Sequence, residues 1–181
     1  MAAARAGGVM LVTGGRGAGG RGAIVAIGCG LWAIAAPACA GDDPACGPRD
    51  VIVERVIDGD TIVVTGGRKI RYLLVDAPET TDGHHACYGD NAAQFNADLV
   101  LGKRVQLTYD VVCDDRFGRT LAYVTVGGDD VSTLLLARGY ACLLHIPPDG
   151  DGRAAELAAV EAAARAAGLG LWSACDPVPC R

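Results

Sequence analysis

The fold is decided by the stretch from Val51 to Val75, which reads VIVERVIDGDTIVVTGGRKIRYLLV. Apolar and polar residues alternate along much of it with a period of two, which is typical of half-buried β-strands. Asp58-Gly59 and Gly66-Gly67 interrupt the alternation, and both dipeptides are hairpin-turn signals. The stretch therefore predicts an antiparallel meander of three strands: Val51–Ile57, Thr61–Thr65 and Lys69–Val75.

Beyond the meander the pattern predicts three helices and two more strands. Asp90 has the character of an N-cap, and Gly102 that of the residue following a helix. We expect helices over Asn91–Leu101, Val131–Arg138 and Arg153–Ala167, and strands over Arg104–Val111 and Leu121–Val126. Five strands, with a helix between the third and the fourth, predict an α+β, mainly β fold: a five-stranded OB-type barrel with three helices.

The N-terminal part of the chain has the composition of an export signal. Residues 1–40 contain three arginines and no acidic residue, and they end on Ala38-Cys39-Ala40 after an uncharged apolar segment. A basic region, an apolar region and a small-x-small site are typical of a secretory signal peptide. A retained membrane anchor and lipid attachment at Cys39 are the alternatives. We expect a secreted or periplasmic (cell-envelope) protein, which touches a membrane only if this segment is retained.

The remaining chain divides into a linker over residues 41–49, a domain over 50–173 and a Cys-containing tail over 174–181. After residue 40 there are 13 basic and 21 acidic residues, a net charge of −8. That balance argues against a module that holds nucleic acid by overall charge. Any polyanion must instead be bound by a local positive site or through a bound cation.

Eight cysteines are present, and two of them lie in the N-terminal segment. Six are left, an even number in a chain bound for an oxidising compartment, so we expect disulfides. The sequence leaves their pairing open. Our preferred grouping has three cysteines tying the termini and three involving barrel loops, and at least one bridge must join the groups because each is odd. The first group is Cys46, Cys175 and Cys180; the second is Cys87, Cys113 and Cys142.

Two carboxylates of the meander are candidates for a metal site. Asp60 begins the second predicted strand and Asp76 ends the third, and antiparallel pairing brings these ends together. Two carboxylates, a backbone carbonyl and waters are typical of Ca²⁺ or Mg²⁺. The plainer interpretation is a turn residue and a strand end with no ligand. Arg71 precedes Asp76 by five residues, so ideal alternation would place them on opposite faces unless the strand bulges.

A second arginine-containing segment follows at Asp115-Arg-Phe-Gly-Arg119. Guanidinium groups bind phosphate through paired hydrogen bonds. Carboxylates suited to a hard cation, together with arginines suited to a phosphate, predict metal-assisted attack on a phosphodiester.

These motifs in this order resemble the staphylococcal nuclease (thermonuclease) family over about residues 50–173. The matching segments are Val56-Ile-Asp-Gly-Asp-Thr61, Arg71 to Glu79, Tyr88-Gly89, Asp115 to Arg119 and Gly170-Leu-Trp172. The resemblance implies an OB-type barrel and Ca²⁺-dependent hydrolysis of DNA and RNA that leaves 3′-phosphates. It also implies nucleic acid as substrate; we expect a monomer with no stable protein partner.

Carried over by position, the resemblance assigns roles to individual residues. Asp60 and Asp76 correspond to direct calcium ligands, and the carbonyl of Ala77 corresponds to a third. Glu79 corresponds to the general base for the attacking water. Arg71 and Arg119 correspond to the two phosphate-binding arginines.

The chain departs from the family at its expected substrate contacts. Phe117 stands where tyrosine is usual, and Arg116 beside it supplies charge. His145 lies where an aromatic pair is expected, so it is a candidate for stacking on a base. Two other classes of function remain: a catalytically inactive nucleic-acid-binding barrel, and an extracytoplasmic metal-binding or structural domain. Retention of all five charged site residues favours the nuclease.

Overall fold

The structure, a computed structural model, describes residues 46–81, 83 and 85–180. The segment interpreted as an export signal lies outside these residues. No helix within the described ranges combines the length and apolar character that crossing a membrane requires.

The described chain contains eight strands and four helices. In chain order they are β1 (Asp50–Val56), β2 (Thr61–Val64), β3 (Arg68–Tyr72), β4 (Leu74–Asp76), α1 (Gly89–Val100), β5 (Arg104–Thr108), β6 (Thr120–Val126), β7 (Asp129–Asp130), α2 (Val131–Ala137), β8 (Cys142–Leu144), α3 (Ala154–Ala166) and α4 (Leu171–Ala174).

Five of the strands close into a barrel. Neighbouring strands follow the order β3-β2-β1-β5-β6, and a parallel pairing of β3 with β6 joins the two ends. The predicted meander is present, with β1 antiparallel to β2 and β2 antiparallel to β3. The expectation of a five-stranded OB-type barrel is confirmed, and closure leaves these strands without a free edge for pairing with another chain.

The barrel interior and the helices share one apolar core. Along β1, Val51 and Val53 are buried while Ile52 and Glu54 face solvent, as the period of two predicts. Strand β2 is buried along its whole length because both of its faces are covered. The core extends from the barrel to Leu135 and Leu157 of α2 and α3, which fixes these helices against the sheet.

The third predicted strand does not run unbroken to Val75. It ends at Tyr72, and Leu74 has a left-handed backbone with φ of 64°. After this break β4 leaves the barrel and pairs antiparallel with β8, a strand absent from our prediction. Gly150 permits the break, because a Cβ there would lie 2.4 Å from Leu74 Cδ2. Two contiguous apolar leucines carry no sequence signal for such a turn.

The helices differ from prediction mainly at the start of α1 and by one additional helix, and their other ends agree to within one residue. Tyr88, not Asp90, is the N-cap of α1, with φ of 69°, and Asp90 lies in the first turn. Gly89 allows the tight entry, since a Cβ there would meet Thr80 Cγ2 at 2.7 Å. A fourth helix, α4, follows the three that were predicted, and its N–H group at Leu171 donates to the Gly139 carbonyl.

The structure pairs the six cysteines as Cys46–Cys113, Cys87–Cys175 and Cys142–Cys180. Each pair joins one cysteine of the predicted terminal group to one of the loop group. The termini are therefore tied to barrel loops rather than to each other.

Candidate active site

A cavity of about 610 Å³ contains most of the predicted site residues. Its walls come from the Asp58–Asp60 turn, the end of β3 with β4, the loop before β6 and the segment after β8. Motifs that lie far apart in the sequence thus line the same cavity. The predicted residues that line it are Asp60, Arg71, Asp76, Ala77, Glu79, Arg116, Phe117 and Arg119.

Arg71 lies between the two candidate metal-binding carboxylates. Its Nε is 3.1 Å from Asp60 Oδ1, and its Nη2 is 3.0 Å from Asp76 Oδ1. Thr61 pairs with Arg71 in the β2–β3 register, which brings the neighbouring Asp60 beside it. Only 8% of Arg71 is exposed, so these ion pairs are screened little by water.

The break at Leu74 explains how Arg71 and Asp76 share one face despite their odd spacing. The guanidinium also binds two backbone carbonyls, one on each side of the break. Arg71 Nη1 donates to Tyr72 O at 2.8 Å and to Val75 O at 2.6 Å. Arg71 therefore closes the gap in the sheet and also joins the two carboxylates.

Asp60 is held by further contacts on both of its oxygens. Oδ2 accepts from Ala77 N at 2.7 Å, and Oδ1 accepts from the Thr61 hydroxyl at 2.9 Å. Gly59 allows this close packing, because a Cβ there would lie 2.5 Å from Ala77 Cβ and 2.8 Å from Ala92 Cβ. The residue is 4% exposed, so these contacts are largely shielded from water.

Asp58 completes the turn and is a further acidic side chain in the cavity lining. Its Oδ1 accepts from Asp60 N at 3.0 Å, as expected of a turn aspartate. Burial, followed by the charge of Asp60, raises the pKa of Asp58 to about 7. At this end of the cavity the acidic side chains outnumber the one arginine, Arg71. The position therefore favours the binding of a cation.

The donor set fits a hard divalent cation held partly by water. Among the described residues, no three His, Cys, Asp or Glu side chains converge as a preformed metal cluster. The available protein donors are the paired carboxylates of Asp60 and Asp76 with the adjacent backbone at Ala77. Oxygen-only ligation of this kind suits Ca²⁺ or Mg²⁺ and not zinc, which favours nitrogen and sulfur.

Glu79 follows β4 on the same wall of the cavity. Its Oε1 accepts from Thr80 N at 3.1 Å, from Thr81 N at 2.9 Å and from the Thr81 hydroxyl at 2.5 Å. Its carbonyl accepts from Ala86 N at 2.9 Å. The carboxylate is thus held by its own loop while it faces the cavity.

Arg119 is held by a local ring of contacts around Asp115. The Asp115 carboxylate accepts from Phe117 N at 2.8 Å and from Arg119 N at 3.0 Å. Its Oδ2 lies 2.7 Å from both Nε and Nη2 of Arg119. Partial burial opposes ionisation, but the Arg119 and Phe117 hydrogen bonds and the Arg119 charge outweigh it and lower the pKa of Asp115.

The family model for "Staphylococcal nuclease homologue" matches residues 69–174. This chain belongs to that family. It is 37% identical over 130 residues to endonuclease YncB of Bacillus subtilis, a match covering 68% of this chain and 62% of the relative. It is 37% identical over 103 residues to thermonuclease of Staphylococcus intermedius, covering 54% and 61%. The chain thus spans less than two thirds of the length of either relative.

A further relative is covered more completely. An uncharacterized endonuclease of Escherichia coli O157:H7 is 37% identical over 131 residues, a match covering 70% of this chain and 79% of the relative. The matched region of this staphylococcal nuclease homologue includes Arg71, Asp76, Glu79 and Arg119, while Asp60 precedes the family-model match.

The rim of the cavity in this family member is apolar and basic. Phe117 is 67% exposed, and the guanidinium carbons of Arg116 and Arg119 lie 4.7 and 5.5 Å from its ring centroid. Ile146, 64% exposed, and Pro147 also line the cavity. Sequence analysis missed these two, although a solvent-exposed Ile-Pro-Pro run was a usable signal.

His145 is not among the lining residues. Its Nε2 lies 2.8 Å from Asp151 Oδ1, so the ring is engaged with the loop that follows it. The neighbouring Ile146 occupies the cavity wall in its place.

A buried polar pair supports the Asp58 turn from behind. The Tyr72 hydroxyl donates to Asn96 Oδ1 at 2.8 Å, and Asn96 Nδ2 donates to Asp58 O at 3.0 Å. This connection from α1 to the turn escaped sequence analysis, because a single asparagine in a helix pattern gives no indication of its partner.

Proposed function

We propose that this protein is an exported, Ca²⁺-dependent nuclease that hydrolyses phosphodiester bonds of DNA or RNA and leaves 3′-phosphates. The observation that carries the proposal is the shared cavity of Arg71, Arg119, the paired aspartates and Glu79. Membership of a family whose relatives are named endonuclease and thermonuclease supports it.

The two arginines would hold the scissile phosphate from different sides. Arg71 is rigid, since its guanidinium is fixed by two carbonyls and two carboxylates. Arg119 is oriented by Asp115. Donors fixed before the reaction stabilise the charge that develops on the phosphoryl oxygens at no further cost in reorganisation.

Glu79 would accept the proton of the attacking water. The three hydrogen bonds at its Oε1 fix the rotamer of the carboxylate, so the position of the base is set before substrate arrives. A positioned carboxylate within hydrogen-bonding reach of a water is suited to general-base catalysis.

Asp60, Asp76 and the carbonyl of Ala77 would hold the metal. When bound there, Ca²⁺ supplies a Lewis acid for the phosphoryl oxygen and orients water. The residues themselves supply a negatively charged, partly desolvated pocket. A cation held there would supply local positive charge and offset the net charge of −8 after residue 40, which would otherwise repel a polyanion.

A digestion assay tests the proposal. Purified, oxidised protein is incubated with plasmid DNA and with RNA in Ca²⁺, in Mg²⁺ and in chelator. We expect cleavage in Ca²⁺ and none in chelator, and we expect the products to carry phosphatase-sensitive 3′ ends. Intact DNA and RNA in Ca²⁺ would exclude the nuclease, and retained binding in that case would favour the inactive nucleic-acid-binding barrel.

The roles within the site are tested by Glu79→Gln. This change keeps the shape of the side chain and removes its charge, so turnover should fall by about 10²-fold or more. Wild-type turnover in Glu79→Gln would exclude Glu79 as the base while leaving the nuclease activity intact.

A further inference from the structure

In the loop that carries Arg119, the tip is held by contacts within itself, whereas the ends are attached to the rest of the protein. Residues 109–119 connect β5 to β6, and at the tip Arg116, Phe117 and Gly118 are exposed. Asp115 holds the tip together by contacts within the tip itself. The tip therefore behaves as a small rigid unit, and the direction of Arg119 depends on how the two ends of the loop are attached to the barrel.

The C-terminal end is attached through Thr120, which is 2% exposed and begins β6. Its hydroxyl donates to Asp114 Oδ1 at 2.8 Å. Cys113 O accepts from Leu121 N at 2.8 Å, which closes the base of the loop.

The N-terminal half of the loop is attached at three points. Asp110 Oδ2 accepts from Gly150 N at 2.7 Å, Val112 N donates to Asp149 Oδ1 at 2.9 Å, and Cys113 forms the disulfide with Cys46. Cys46 is itself fixed to the barrel, because its carbonyl accepts from Arg68 Nη1 at 2.9 Å. The same Arg68 nitrogen lies 3.3 Å from the Thr120 hydroxyl oxygen. One guanidinium thus contacts both Cys46, the disulfide partner of Cys113, and Thr120, at which the loop enters β6.

Residues 46–49, here termed the strap, run beside this attachment. Pro48 O accepts from the Tyr109 hydroxyl at 2.6 Å, and Arg49 O accepts from Leu107 N at 2.7 Å. Glycine suits the crossing, since Gly47 has φ of 146° and a Cβ there would lie 3.0 Å from Arg68 Nη1. The strap therefore follows the chain from the end of β5 into the arginine loop.

The other two bridges have a different setting. Cys142, Cys175 and Cys180 pack with Leu171 in an apolar cluster under the C-terminal tail. Neither Cys46 nor Cys113 belongs to an apolar cluster of the described residues. The Cys46–Cys113 bridge therefore attaches the loop covalently beside the site, and it does not contribute to the buried apolar core.

We propose that the strap and the Cys46–Cys113 bridge are positioning elements for Arg119, which set the turnover of the proposed nuclease by holding the loop at its N-terminal end. The inference rests on the proposed function for its kinetic readout. Small misplacements of a positioned group cost up to about 10²-fold in rate.

The test is a double-mutant cycle in the full chain. Cys46→Ser/Cys113→Ser should lower kcat by roughly tenfold to hundredfold. In an Arg119→Ala background the same pair of changes should alter kcat by less than about twofold, because the group they position is gone. Equal losses with and without Arg119 would overturn the inference.

Cys142→Ser/Cys180→Ser is the matched control, because it also removes one bridge. Its effect on kcat should be the same with and without Arg119. Tyr109→Phe, which removes the strap contact and spares every bridge, is a second variant in case the cysteine variant does not fold. It should give a smaller loss of kcat that again disappears without Arg119, and no such coupling would count against the inference.

Amide hydrogen exchange provides a readout independent of activity. In Cys46→Ser/Cys113→Ser, exchange of residues 114–121 should accelerate by about tenfold, while residues 61–64 of β2 keep their protection. Unchanged exchange in the loop overturns the inference whether or not the protein cleaves nucleic acid. If the wild type cleaves nothing, yet the variant shows this accelerated exchange, the proposed function alone is contradicted.

Discussion

The two arginines of the cavity are held in opposite ways. Arg71 is buried and bound to groups from several parts of the fold: the Asp60 carboxylate, two carbonyls at the strand break and Asp76. Arg119 lies on a loop, and its side chain, 27% exposed, pairs with the residue four positions before it. One arginine is therefore part of the barrel's structure, and the other is part of a nearly self-contained turn.

Because the two arginines are held differently, we expect them to differ in how much each contributes to stability and to function. Removing Arg71 disturbs the sheet and leaves carboxylates buried without a counter-charge, so its loss should affect folding as well as catalysis. Removing Arg119 leaves a partly exposed aspartate that water can solvate, so its loss should affect catalysis alone. The first predictions below test this contrast and the last concerns the rim of the cavity, in order from the largest expected effect to the smallest.

Arg71→Ala should be damaging in two ways. We expect kcat to fall by about 10³-fold. We also expect the free energy of unfolding to fall by about 3 kcal/mol or more, because Asp60 and Asp76 lose their partner. Digestion kinetics and urea unfolding measure the two effects. Arg71→Lys is the control: it keeps the charge but loses the forked geometry, so its stability loss should be smaller. A fully stable Arg71→Ala variant would break the contrast.

Arg119→Ala should be damaging in one way only. Turnover should fall by about 10²-fold or more, as expected for loss of one preorganised donor. The free energy of unfolding should change by less than about 1 kcal/mol, as for other partly exposed ion pairs. The same two assays apply. A stability loss as large as that of Arg71→Ala would show that the loop is not self-contained.

Asp115→Asn should reduce turnover by about tenfold, because Arg119 keeps its charge but loses the carboxylate that orients it. Stability should fall by about 1 kcal/mol at neutral pH. The pKa of Asp115 is lowered in the folded protein, so its contribution to stability is present above its ordinary pKa of 3.8. That contribution is lost as pH falls through the lowered pKa.

Urea unfolding of wild type and Asp115→Asn across pH measures this dependence. The difference in unfolding free energy should be constant above pH of about 5 and should shrink at lower pH. A difference that grows on acidification would have the wrong sign and would exclude Asp115 as the stabilising carboxylate of the turn.

His145→Ala should have the smallest effect, since His145 pairs with Asp151 and lies outside the cavity lining. KM and kcat should change by less than about twofold. Phe117→Ala is the comparison, because loss of an exposed ring over which bases can stack should raise KM about fivefold or more. A larger effect at His145 than at Phe117 would reverse this assignment and restore His145 as the stacking residue.

The parts of the molecule that were predictable are those governed by local pattern. Alternation in Val51–Val75 and the two hairpin dipeptides were enough for the meander, and five such strands were enough for an OB-type barrel, which the structure confirms. The motifs at 71–79 and 115–119 were enough for the family, which the family model confirms. Antiparallel pairing of the second and third strands predicted the approach of Asp60 to Asp76, but Asp76 lies in β4, outside that pairing, and the two carboxylates meet at Arg71.

Other features depended on contacts between distant residues. The strand break at Leu74 rests on Gly150, about half the chain away, and it is what brings Arg71 and Asp76 onto one face. The cysteine pairs likewise depend on which loops the closed barrel brings together. Asp90 fulfils every local criterion for an N-cap, yet the packing of Gly89 against Thr80 moves the helix start to Tyr88.

By itself, then, the sequence determined the meander, the five-stranded barrel and the family. These rest on short-range periodicity and on spacings of a few residues. Only the tertiary structure decided how Arg71 is buried, which cysteines meet and where Arg119 lies relative to Arg71. Those features arise from barrel closure, which sets distances between segments that share no local pattern.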